Sequence, residues 1–444
     1  MNLIKSSNSK YLNQILLAIK NDDLNQVHSI LKQAHEGNFD INGKINENNY
    51  PFLWAVVNGN VEIVKAIIDY ANKNNVILNI TDKDNDGDNP LMFAINGNEN
   101  EIFKLILDYA TEKKIDLKIN EKNDNNEFPL TMALLKKNTE MVEEIIEYAE
   151  KNNILLNITE ISGKLWDPIY TAVYTNNVRN VQLLLNYATK YRINIMLNSK
   201  KSLCQQKSLF FYAITKNNFE MLRLILDFAS QNNEIFDINE KNNLHASPLL
   251  NSISNNSTEM VGLIIKYAIE KNIILKTGEK NDYMNYDVLM ACINNNTEIL
   301  KLLLYYGEKE NIPCIMNDKN MEGDYPLLNA CIHNNVEMVK LLIEYANKHN
   351  IILNISDKNK YNNYPILEAI RHNNTEMANL FVNYAHQNKL TIDVIEYDIK
   401  NISRINEEIM FLFIEYKNTL KVKCRDNSLI IRRINHIKKI NNIH

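Results

Sequence analysis

At 444 residues, 45% hydrophobic and 23% charged, the chain is long enough for several domains or one elongated array, and too apolar for wholesale disorder. A net charge of −5 excludes a strong global field toward nucleic acid or membrane, and no apolar stretch approaches the ~18 residues of a membrane span. Five cysteines without a C-x-x-C pair (Cys204, Cys292, Cys314, Cys331, Cys424) read as reduced thiols of a cytoplasmic chain, the nucleus staying open. The N-terminus has no secretory h-region.

The chain repeats. Alanine recurs at Ala55, Ala94, Ala133, Ala172, Ala213, Ala291, Ala330 and Ala369, with Ser252 in the one gap; the interval is 39 residues, except for 41 between Ala172 and Ala213. Ala18 marks a rougher first unit. The expected organisation is an N-terminal capping unit over 1–45, nine repeats over 46–400, and capping helices with a basic tail over 401–444.

Within a unit, proline stands four residues before the alanine, as in Pro51, Pro90 and Pro326, where a first helical turn tolerates its missing N–H. This predicts a helix of two to three turns. Four residues after the alanine come Gly59, Asn98, Lys137, Asn176, Asn217, Asn256, Asn295, Asn334 and Asn373. A left-handed helix end wants Gly or Asn, which explains a chain with only 10 glycines but asparagine at about one residue in six. Lys137 predicts strain or a differently shaped turn. A second helix follows, with Glu62, Glu101 or Glu337 in its first turn and an aromatic–small pair such as Tyr70-Ala71 near its end. Each unit closes on an extended stretch, such as Val76–Ile80, and a polar finger tip such as Asp82-Lys83.

A Pro-led short helix, a tight corner, a second helix and a projecting turn resemble the ankyrin repeat, whose T-P-L-H-x-A consensus reads here as Tyr50-Pro51-Phe52-Leu53-Trp54-Ala55. The resemblance covers roughly residues 10 to 400 and implies an all-α repeat solenoid of helix-turn-helix units with short extended fingers. Three departures stand out. The Thr–His bond between units is absent, which leaves apolar residues such as Leu53, Leu250, Leu289, Leu328 and Leu367 to join them. The unit is six residues longer than the family's 33, with the excess assigned to the second helix in preference to the loop. The corner Gly has become Asn.

No motif of nucleotide binding, metalloprotease chemistry or calcium binding occurs, so the chain reads as non-enzymatic and without cofactor or metal. His333 and His372 share a column but read as solvated surface residues. Cys292 and Cys331, also in one column, read as small core residues, and Trp54 and Phe93 as core packing.

The resemblance implies that finger tips and first helices form the concave binding side. The unit-to-unit variable positions there, two and three residues after the alanine and six before it, include Glu127, Lys136, Trp166, Tyr174, Lys207, Lys216, Arg371 and His372. Trp166, Tyr174, Lys207 and Lys216 concentrate aromatic and basic character in the fourth and fifth units, the composition of an interface anchor; local repacking around the 41-residue interval is the competing explanation.

From Lys417 to His444 the tail is basic, with Arg425, Arg432, Arg433, Lys438 and Lys439; isoleucines at helical spacing from Ile430 to Ile440 read as a capping helix. The expected function is a monomeric scaffold or adaptor for an unidentified protein partner, with nucleic acid and membrane not expected. The alternative is a recognition subunit whose tail docks to a degradation complex or to nucleic acid. The segment Arg404–Phe413 is apolar enough to serve as a docking helix.

Overall fold

The computed structural model describes residues 2–34, 39–44, 50–162, 167–195, 208–395, 406–416, 418–423, 432 and 436–439. The chain divides into two compact units, 1–234 and 235–444.

Residues 1–234 begin with α1 (Asn2–Lys20) and α2 (Leu24–Ala34). Five helix pairs follow the alanine spacing: α3 (Pro51–Asn58) with α4 (Val61–Lys73), α5 (Pro90–Gly97) with α6 (Asn100–Lys113), α7 (Pro129–Leu135) with α8 (Thr139–Lys151), α9 (Pro168–Tyr174) with α10 (Val178–Tyr191), and α11 (Leu209–Thr215) with α12 (Phe219–Gln231). Residues 235–444 continue with α13 (Pro248–Ser254) and α14 (Thr258–Glu270), α15 (Asp287–Ile293) and α16 (Thr297–Lys309), α17 (Pro326–Ile332) and α18 (Val336–Lys348), and α19 (Pro365–Arg371) and α20 (Thr375–Gln387). Strand β1 (Ile392–Ile395), helix α21 (Glu407–Glu415) and strand β2 (Leu420–Lys423) close this unit, with β1 and β2 paired in parallel.

The repeating alanines and Ser252 are fully buried, because neighbouring first helices approach closely at this column. Seven first helices carry proline at their start, and their tyrosine, phenylalanine, serine, aspartate or asparagine caps are extended, as the residue before proline requires. The corner is left-handed in every repeat, from Gly59 at φ 76° to Asn373 at φ 52°. Lys137 adopts it too, at φ 59°, so its turn is not differently shaped.

Asparagine has more work than that corner. A second left-handed column ends the second helices, at Asn75, Asn153, Asn233, Asn272, Asn311 and Asn350, with Lys114, Arg192 and Lys389 as variants. A third shapes the finger turn, at Gly87, Asn126, His245, Met284, Gly323 and Asn362. The residues after the tyrosine–alanine pair divide between helix and cap: Asn347 and Lys348 are helical, and His349 and Asn350 form the turn, with Ile351 N donating to Ala346 O at 2.8 Å. The extra length therefore does not lie in the second helix alone.

Nor do the repeats join by apolar packing alone. Leu53, Leu250, Leu289, Leu328 and Leu367 are buried as expected. Polar ladders run beside them within each unit. Asparagine caps seven of the nine second helices, α6 (Glu99) and α14 (Ser257) being the exceptions; each of these asparagines accepts from the helix backbone and donates backward. Asn138 Oδ1 accepts from Met141 N (3.0 Å) while its Nδ2 donates to Asn98 Oδ1 (2.8 Å); Asn335 does the same with Met338 N (2.9 Å) and Asn295 Oδ1 (2.8 Å). In the finger stems Asn120 Nδ2 donates to Leu155 O (2.8 Å) and Asn120 Oδ1 accepts from Asn157 N (3.0 Å), so one side chain imitates a strand neighbour. Asn317 repeats this with Ile352 and Asn354. The second-helix tyrosines accept from the preceding finger, as Leu78 N to Tyr109 Oη at 3.0 Å and Leu353 N to Tyr384 Oη at 2.9 Å.

The C-terminal end is closed by α21. Ile409, Met410, Leu412 and Phe413 are buried, and the helix packs on α20. Asn406 stands in for the next capping asparagine: its Oδ1 accepts from Glu408 N, its N donates to Asn373 Oδ1 (2.8 Å) and its Nδ2 to Thr375 Oγ1 (3.1 Å). The expected isoleucine cap lies largely outside the described residues; of it, Ile437 is buried.

Candidate interaction surface

Among the variable positions, those six residues before the alanine serve mainly as joints. Asn123 Nδ2 donates to Asp88 Oδ1 (2.8 Å), Asn320 Nδ2 to Asn285 Oδ1 (2.9 Å) and Asn359 Nδ2 to Asp324 Oδ1 (2.7 Å). Asp88 and Ala246 are buried. Glu127 is half-buried, its N–H donated to Asn123 Oδ1. Trp166 and Lys207 lie outside the described residues.

Several residues three after the alanine brace the preceding repeat as well. Lys136 Nζ donates to Asn96 O (2.7 Å), and His333 Nε2 and His372 Nε2 lie 2.9 and 3.0 Å from Ile293 O and Ile332 O. His333 and His372 are thus cross-repeat braces and not merely solvated. Arg371 Nη1 bonds Glu368 Oε1 (2.6 Å) and Asn363 Oδ1 (2.7 Å), which neutralises a buried carboxylate. Finger-base lysines pair with the next repeat's acid, as Lys83–Glu121 (3.1 Å), Lys280–Asp318 (2.7 Å) and Lys319–Asp357 (2.7 Å).

Tyr174 and Lys216 differ from these. Tyr174 ends α9 on the first-helix face, 39% exposed. Lys216 follows α11 and holds its Nζ 4.5 Å from the Tyr174 ring centroid. One turn back on each helix, Tyr170 and Tyr212 meet edge to face, with centroids 6.2 Å apart. Tyr212 is buried and its hydroxyl has no hydrogen-bond partner. Burial, reinforced by Tyr174, pushes this phenol up to about 12.

In residues 235–444 the finger tips carry a row that the sequence reading missed. Leu244, Tyr283, Met321 and Tyr361 are exposed by 47, 56, 53 and 65%. The signal was there: the matching tips of residues 1–234 carry Asp86 and Asn125.

Elsewhere the surface offers little chemistry. Cys292 and Cys331 are buried free thiols, pushed up in pKa by burial and therefore poor nucleophiles. Trp54 is half-buried, with Lys20 Nζ 4.4 Å from its ring centroid, and Phe93 is also half-buried, so neither is wholly core. Among the described residues no cluster of three His, Cys, Asp or Glu is placed to hold a metal, and no helix is long and apolar enough to cross a membrane. Of the basic tail, Arg432 and Lys439 are exposed and Lys438 half-buried; Arg425 and Arg433 lie outside the described residues.

Paired helices at a fixed period, each packed on neighbouring pairs within its unit, define an all-α repeat solenoid. A family model described as ankyrin repeats in three copies matches residues 15–119, 210–314 and 288–392, more than half of the sequence, and the chain belongs to the ankyrin-repeat family. Ankyrin repeats generally mediate protein–protein interactions. No curated protein matches the chain. Among solved structures, the ankyrin repeat domain of Bcl-3, described as a unique member of the IkappaB protein family, is similar with a TM-score of 0.41 and 18% identity, covering 57% of this chain and 97% of that one.

Proposed function

We propose that the chain is a monomeric, non-catalytic scaffold or adaptor that holds a protein partner on its first-helix and finger-tip face, with α9 and α11 as the main contact. One observation carries this reading. Several polar side chains of the variable columns, such as Lys136 and His333, brace the preceding repeat, whereas Tyr174 is 39% exposed and Lys216 lays its ammonium over the Tyr174 ring. Exposed aromatics beside cations are what interface centres are made of. A delivering tail has no comparable support, because the helical part of Arg404–Phe413 docks in cis on α20.

The test is a quantitative pull-down with the full chain, the Tyr174→Ala/Lys216→Ala double variant, and Lys266→Ala on a second-helix surface. The double variant is expected to lose the partner and Lys266→Ala to keep it. The reverse pattern in folded proteins overturns the reading.

A further inference from the structure

We infer that the cavity between α2 and α4 binds a small amphipathic carboxylate, a molecule with an apolar body and one carboxylate group. The site is built from second helices and shares no residue with the proposed partner contact. Its origin lies in one column. Eleven residues after the repeating alanine the chain reads Ala66, Leu105, Glu144, Leu183, Leu224, Leu263, Leu302, Leu341 and Leu380. A leucine of this column leans on the preceding second helix: Leu302 Cδ1 on α16 lies 3.9 Å from where a Cβ would stand on Gly262 of α14. Ala66 stops short of such a contact. The space it leaves opens into a cavity of about 610 Å³ against α2, within the size range of small-molecule sites.

The cavity has an apolar floor and a cationic rim. Leu31, Ala66 and Tyr70 line it and are buried. Lys32 on α2 and Lys73 at the end of α4 line it and are exposed. Among the described residues neither lysine meets a carboxylate, whereas Lys151 and Lys190, in the column of Lys73, pair with Glu147 (2.8 Å) and Glu150 (2.7 Å). Asp69 is the one acid in the lining, so two ammonium groups against one carboxylate leave a single positive charge to balance. The Tyr70 hydroxyl is a further donor. Tyr109, Tyr148, Tyr187 and Tyr384 each accept a finger N–H and donate to a finger carbonyl. Among the described residues Tyr70 does neither, which leaves its hydroxyl for a ligand acceptor. A cationic amphiphile meets repulsion from the lysines, and a bare anion leaves the apolar floor uncovered.

The experiment is isothermal titration calorimetry of the full chain with three probes below their micelle concentrations: decanoate, acetate and decylammonium. Decanoate is expected to bind one to one with a Kd of about 0.1 mM, and the other two at least about tenfold more weakly. Ala66→Leu, which gives this helix the residue that seven repeats already use, is expected to weaken decanoate binding about tenfold or more and to melt no lower than wild type. Weaker binding by a protein of equal or greater stability separates occupancy of the cavity from folding. The exposed double variant Lys32→Met/Lys73→Met leaves the floor intact and is expected to weaken decanoate about tenfold while narrowing its advantage over decylammonium. This pair decides the question even where Ala66→Leu folds poorly. No saturable decanoate binding to wild type, or undiminished binding to either folded variant, overturns the inference. Decylammonium bound as tightly as decanoate overturns the assignment of a carboxylate.

Discussion

Asn180 is the sharpest test of how this array is held together. Its column, eight residues after the repeating alanine, reads Ile63, Ile102, Met141, Asn180, Met221, Met260, Ile299, Met338 and Met377, and all are fully buried. At Asn180 neither Oδ1 nor Nδ2 has a hydrogen-bond partner. Leu has the same number of side-chain heavy atoms and nearly the same branching, so Asn180→Leu removes two orphaned polar atoms without opening a cavity. Each orphan costs about 1–3 kcal/mol, and two on one amide are not independent, so the gain is about 3 kcal/mol. For a unit of the size of residues 1–234 that raises Tm by roughly 6–12 °C.

Urea and thermal unfolding followed by circular dichroism measure the change, with hydrogen exchange over α10 locating it. Asn180→Ala is the control. It removes the same orphans but leaves a hole, and cavity terms of about 2–5 kcal/mol for Leu-to-Ala-sized losses offset the benefit, so stability stays close to wild type. An Asn180→Leu protein no more stable than wild type refutes the reasoning. It would mean that the amide is satisfied in solution, for instance by a buried water with polar neighbours.

Four further outcomes follow from the same contacts. Asn335→Ala removes a helix cap and the bonds to Asn295 and Thr297 and is expected to cost about 2 kcal/mol in urea unfolding, while Asn335→Asp keeps the cap and loses only the backward donors, at about half that cost. Glu144 stands between Leu105 and Leu183 in a leucine column with Oε2 buried and unpartnered, and burial, then Glu140, pushes its carboxyl up to about 7. The unfolded carboxyl ionises near 4.5, so this group lowers stability as pH rises from there through 7; Glu144→Leu should gain about 1–2 kcal/mol over wild type above pH 7 and nothing near pH 4.5. Phe228→Tyr restores the hydroxyl that the other second helices carry, beside a 460 Å³ groove lined by Ile193, Asn194 and Ile195, and is expected to add about 1 kcal/mol to the chemical-denaturation stability. Ending the chain after Lys423 should leave hydrogen exchange in α20 unchanged, whereas ending it after Ile395 uncovers the surface under Ile409, Met410, Leu412 and Phe413 and speeds that exchange by about a hundredfold or more.

The repeat was legible because packing fixes residue type: nothing larger than alanine or serine fits where first helices meet, and proline and Asn-type corners are dictated by backbone geometry. The polar joints were not legible, because one asparagine does several jobs that spacing does not separate. Asn123 shows why the variable row was read as free surface. Its Nδ2 needs only an acceptor in the preceding repeat, and Asp88 serves as well as Asn285 or Asp324 does for Asn320 and Asn359. Variation among acceptors looks like freedom from constraint when it is a loose constraint. Tyr174 and Lys216 were found by composition, but their pairing with Tyr170 and Tyr212 needed the helix register on both sides of the 41-residue interval.

That interval and the asparagine ladders bear on one another. Side-chain amides propagate register between repeats, since Asn138, Asn218, Asn296, Asn335 and Asn374 each reach the corner asparagine of the repeat before. Asn218 Nδ2 still donates to Asn176 Oδ1 at 2.9 Å across the longer interval, so the two added residues lie outside the helix pairs and leave that corner spacing intact. On the first helices either side of that interval the array carries its orphaned phenol, a cation over a ring and an exposed tyrosine. A second-helix edge held in register by amides leaves the opposite edge free to depart from the repeat, which is where a recognition site can differ from its neighbours without unstacking them.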